Sequence, residues 1–81
     1  MGLTEPEYVE LFGRMLAQGW QVEELEKLLR SIPDAHTFQK IRKLFFEKFH
    51  APFLPAFLQD LNPEHHVRVL NAYRVASRDY Q

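Results

Sequence analysis

Five prolines, at positions 6, 33, 52, 55 and 63, constrain this chain more than any other feature, because each fixes φ and removes a backbone donor. A chain of 81 residues cut at those points forms only short elements, and the question becomes what each segment buries. Thr4-Glu5-Pro6-Glu7 is a capping box in which the Thr4 hydroxyl accepts from the Glu7 amide and Glu7 reaches back. It predicts a helix whose Tyr8, Leu11, Phe12, Met15 and Leu16 form one apolar stripe. Gly19 is expected to end it in the left-handed conformation, with Trp20 packing back on Met15.

The second segment sets Val22, Leu25, Leu28, Leu29 and Ile32 on one face and Glu23, Glu24 and Glu26 on the other. Pro33 limits it, and the next helix is capped by either Ser31 or Asp34. That third helix carries Phe38, Ile41, Phe45 and Phe49 at spacings of three and four, with Leu44 and Phe46 widening the arc. The Ala51-Pro52-Phe53-Leu54-Pro55 run forbids its continuation and predicts a short helix over 55–61. Asn62-Pro63-Glu64 then starts a last helix toward Asp79, with Val69, Tyr73, Ala76 and Tyr80 as its stripe and Val67 and Leu70 extending it. No segment alternates with period two and no hairpin dipeptide occurs, so the class is all-α. The expected architecture is one domain over residues 1–81, a compact bundle of four to five short helices packed mostly as antiparallel neighbours.

Chemistry has few places to reside. Without cysteine there is no disulfide, thiol nucleophile or Cys-based zinc site. His65 and His66 are adjacent and diverge by about 100° on a helix, while His36 and His50 sit near opposite ends of the third helix. No metal is therefore called for. Ser31, Ser77, Thr4 and Thr37 lack a glycine-flanked elbow, and Gly2, Gly13 and Gly19 are too scattered to cradle a phosphate. The expectation is a protein that is not an enzyme, with no catalytic residues and no cofactor. The longest stretch free of Asp, Glu, Lys and Arg holds two prolines and falls far short of the ~20 apolar residues of a bilayer span. Met1 and Gly2 are not followed by a signal-peptide pattern, so a cytoplasmic protein without membrane contact is expected.

Ten basic and eleven acidic side chains nearly balance, but they are not evenly spread. Residues 1–29 hold six acids and two bases, and residues 30–50 hold five bases and two acids. Arg30, Gln39, Lys40, Arg42, Lys43 and Lys48 can form a basic ridge on helix 35–49 for nucleic acid or an acidic protein. The competing reading is intramolecular: the acidic second helix lies beside the basic third and neutralises it. A helix-turn-helix about Gly19 fails, since Met15 occupies the close crossing and Glu23, Glu24 and Glu26 would face phosphates.

Eleven aromatic residues are a heavy load, and Phe45, Phe46, Phe49, Phe53 and Phe57 crowd one stretch. Consecutive helical residues diverge by about 100°, so Phe45 and Phe46 cannot share a neighbour on one face. With Tyr73, these five are expected to form a protein-binding patch with charged rims, unless the 50–58 segment folds over the third helix and covers them. The leading expectation is a small regulatory, adaptor or inhibitor protein acting on another protein. The alternative is a transcriptional or RNA regulator that binds nucleic acid through helix 35–49. A homodimer through the third or last helix would bury further apolar surface.

Leu3-Thr4-Glu5-Pro6-Glu7-Tyr8-Val9 followed by an acidic second helix is similar to the start of the DNase-colicin immunity proteins, four-helix inhibitors of a nuclease. The resemblance covers about a third of the chain and implies a helical protein that works by occupying a partner. It departs at residues 33–49: the family has a short turn rich in aspartate and paired tyrosines, and this chain has a long basic helix.

Overall fold

A computed structural model describes residues 3–59 and 61–78, and these form five helices. They are α1 (Glu5–Gln18), α2 (Val22–Arg30), α3 (Ala35–Phe49), α4 (Phe53–Leu58) and α5 (Pro63–Ser77). The expected run of the last helix to Asp79 and Tyr80 lies outside the described residues. The α1 capping box is formed, with the Glu7 amide donating to Thr4 Oγ1 and the Thr4 amide to Glu7 Oε1. Of the two candidates for the cap of α3, Asp34 is used: its carboxylate accepts from the Thr37 amide at 2.7 Å. Gln21 caps α2 with its amide on Glu24 Oε1. Asn62 precedes α5 as expected, but its backbone carbonyl, not its side chain, accepts from the His65 amide.

Gly19 departs from expectation. Its φ of +99° and ψ of 156° belong to an extended conformation open to glycine, not to the left-handed helical one. Trp20 packs edge-on against Phe57 of α4, with ring centroids 5.3 Å apart.

Every helix contributes to one core. Tyr8, Val9 and Phe12 come from α1, Val22, Leu25 and Leu29 from α2, Phe38, Ile41 and Phe45 from α3, Phe53 and Phe57 from α4, and Val69, Ala72 and Ala76 from α5. Six residues are too few for a stable isolated helix, so α4 exists because its two phenylalanines are buried. Phe53 is the hub: its ring lies 4.7 Å from Phe12, 5.7 Å from Phe38, 5.3 Å from Phe45 and 5.0 Å from Phe57.

Packing does not follow chain order. α1 lies mainly on α3 and α2 mainly on α5, so the principal pairs skip at least one helix instead of joining consecutive ones. Of the stripe expected on α5, Val69 and Ala76 are buried and Tyr73 half-buried, and Tyr80 lies outside the described residues. The expected extension through Val67 and Leu70 is corrected: those two are 62% and 38% exposed, and the small Ala72 is buried in their stead. At the α2–α5 contact Arg68 reaches Glu23 at 3.2 Å and Glu26 at 2.5 Å. Tyr8, on α1, is tied to the end of α2 by a 2.8 Å hydrogen bond to Ser31 Oγ, whose hydroxyl donates to the Leu28 carbonyl.

Candidate protein-binding groove

The aromatic patch read from sequence divides in two. Phe45, Phe53 and Phe57 are core residues, because α4 folds back over α3 and covers them. They are corrected from surface contacts to buried packing. Phe49 is 37% exposed, yet its ring rests against Gly13 of α1, where the absent side chain makes room for it. Phe46 alone of the five projects well into solvent, 53% exposed, since it points about 100° away from Phe45.

Phe46 is not isolated. Gln39, Arg42, Lys43 and Phe46 recur at i, i+3, i+4 and i+7 and form one wall of a groove of about 450 Å³. Pro52, Leu54 and Pro55, from the turn into α4, also line it, as do Phe53 and the half-buried Tyr73. The structure thus brings members of both expected sets together: Phe46 and Tyr73 from the aromatic patch, Gln39, Arg42 and Lys43 from the basic ridge. Lys40 is exposed on α3 outside the lining, Arg30 ends α2, and Lys48 lies over the Phe49 ring at 5.6 Å on the side facing α1. The proline-bounded wall at 52–55 was not anticipated as part of a site. Its signal was present in the same prolines that stop α3, which hold a rigid turn beside that helix.

The electrostatics of the groove follow from the pairing of helices. Acidic α2 does not lie beside basic α3, so the expected neutralisation within the molecule is corrected: Arg68 of α5 takes Glu23 and Glu26. The carboxyl of Glu23 is held below its ordinary value by its backbone hydrogen bond and then by Arg68. Among the described residues, no carboxylate lies within ion-pair distance of Lys40, Arg42, Lys43 or Lys48. Arg42 is instead positioned by aromatic faces, its Cζ 5.6 Å from the Tyr73 ring centroid and 5.8 Å from that of Phe38.

The histidines have local roles. His50 ends α3 in the left-handed conformation, His66 Nε2 lies 3.0 Å from the Leu61 carbonyl, and His65 lies 3.6 Å from Glu64. Among the described residues no group of three His, Cys, Asp or Glu side chains could hold a metal ion, and no helix is long and apolar enough to cross a membrane.

No protein-family profile, curated protein or solved structure matches this chain. Its class is defined by the fold: all-α, five short helices on one core. No comparison supports the resemblance of the N-terminal segment to the immunity proteins, and the third element here is a helix of 15 residues.

Proposed function

We propose that this chain is a regulatory or adaptor protein, not an enzyme, and that it acts by binding another protein at the α3 groove, as an inhibitor would. The observation that carries this reading is Phe46, a large aromatic 53% exposed on a helical face whose cations have no carboxylate within ion-pair distance among the described residues. Exposed aromatics flanked by arginine are the groups that supply most energy at protein interfaces. The test is a photo-crosslinking amino acid placed at position 46 in cells, with position 67 on α5 as control. A discrete protein adduct at 46, resistant to nuclease and competed by excess unmodified protein, supports the reading. Adducts that are equal at both positions, or none at all, overturn it.

Lys40, Arg42 and Lys43, which form no ion pair among the described residues, also favour a second reading, a regulator that binds nucleic acid through α3. Against it stand a net charge of -1 and a pI of about 6.4, where a basic footprint is expected. Crosslinks at 46 that vanish on nuclease treatment, and binding that falls steeply with salt, would move it to the front.

A further inference from the structure

Resting on the protein-contact reading, we infer that the groove takes an acidic peptide segment carrying one apolar anchor, with Arg42 as the receptor for a carboxylate. The guanidinium of Arg42 lies within 6 Å of two ring centroids, Tyr73 and Phe38, which are themselves perpendicular at 5.2 Å. Such contacts restrict the side chain while using none of its five N–H donors. Among the described residues no hydrogen bond from Arg42 to protein occurs, so a fork of donors is held at the groove edge with no acceptor. A carboxylate matches that fork in two parallel hydrogen bonds. Lys43, one residue on and also lining the groove, adds a second positive charge without such geometry.

The groove also has apolar lining. Phe46 lies one turn beyond Arg42 on α3 and lines the groove together with Pro52, Leu54 and Pro55. An aromatic or aliphatic side chain placed among these residues is removed from water while a neighbouring acid meets Arg42. A nucleic-acid backbone fits less well, because it needs a track of cations and only Arg42 and Lys43 line the groove. The prolines stiffen the wall, and Arg42 is already oriented, so little ordering is required on binding.

The probe is a short fluorescein-labelled peptide of aspartates around one phenylalanine, titrated against the whole protein by fluorescence anisotropy. Its comparison peptide has serine in place of the phenylalanine, and a labelled oligothymidylate of equal length is the third probe. We expect the aspartate-phenylalanine peptide to bind and the serine peptide to bind about tenfold more weakly. Arg42→Lys, which keeps the charge and removes the fork, should weaken the peptide about tenfold, and Lys40→Gln much less. Phe46→Ala should erase the difference between the two peptides. Circular dichroism melts confirm that these exposed-site variants fold. Equal binding by wild type and Arg42→Lys, a preference for oligothymidylate, or no peptide binding overturns the inference. Should the peptide fail while position 46 still crosslinks to a discrete protein, the acidic class is wrong and the protein-contact reading stands; failure of both removes both.

Discussion

Two residue-level contacts decide how α1 is held. The Tyr8 hydroxyl donates to Ser31 Oγ, and Ser31 donates onward to the Leu28 carbonyl, a chain of two bonds in which each oxygen is satisfied. Tyr8→Phe removes the first bond and keeps the ring packed, so chemical denaturation should show a loss of about 1 kcal/mol. Gly13 makes the second contact, because a Cβ there would run into the Phe49 ring. Alanine is the better helix former by about 1 kcal/mol. Gly13→Ala should therefore stabilise the protein by about 0.5–1 kcal/mol in a Phe49→Ala background and show a smaller or reversed effect with Phe49 present. A double-mutant cycle in urea measures the difference, and identical effects in both backgrounds would remove the role assigned to Gly13.

At the scale of the element, starts were legible and contacts less so. Thr4, Pro6, Asp34, Pro52 and Pro63 mark boundaries because capping and the missing proline donor act within a few residues of sequence. On α5 the stripe of Val69 and Ala76 is buried as its spacing predicts, but its extension through Val67 and Leu70 is not: α5 lies mainly on α2, and the small Ala72 is buried where size alone favours the larger residues. For the site, Gln39, Arg42, Lys43, Phe46 and Tyr73 were legible as residue types, whereas their convergence with Leu54 depends on how the 52–55 turn folds back. The caps also predict a pH response. Hydrogen bonds from backbone amides hold the carboxyls of Glu7 and Asp34 below their ordinary values. A carboxyl whose folded pKa lies below its unfolded value contributes stability that is complete above the unfolded value and lost as pH falls through the folded one. Thermal stability should thus decline on acidification below roughly pH 4.5. Asp34→Asn, which can still cap without titrating, should flatten part of that decline when melting is followed from pH 7 to pH 3.

For the whole molecule, the division of the phenylalanines separates folding from recognition. Phe53 touches rings from α1, α3, α4 and α5, so Phe53→Ala removes the centre of the core and should cost about 3–5 kcal/mol, enough to abolish a cooperative melt in a domain of this size. Phe46→Ala should leave the melt nearly unchanged, and a comparable loss for both variants would place Phe46 in the core. The pairing of α1 with α3 and of α2 with α5 has a temporal consequence. A growing chain that has completed α2 lacks the principal cover of Val22, Leu25 and Leu29 until α5 emerges, so this core stays incomplete until the last of the five helices is made. A fragment ending at Asn62 should give the circular dichroism of a largely unfolded chain, and a peptide of residues 63–81 added to it should restore helix; a stably folded fragment would show that α2 has another cover. On that view α5 serves as the latch of the five-helix core, and whatever delays or removes it uncovers the main apolar face of α2.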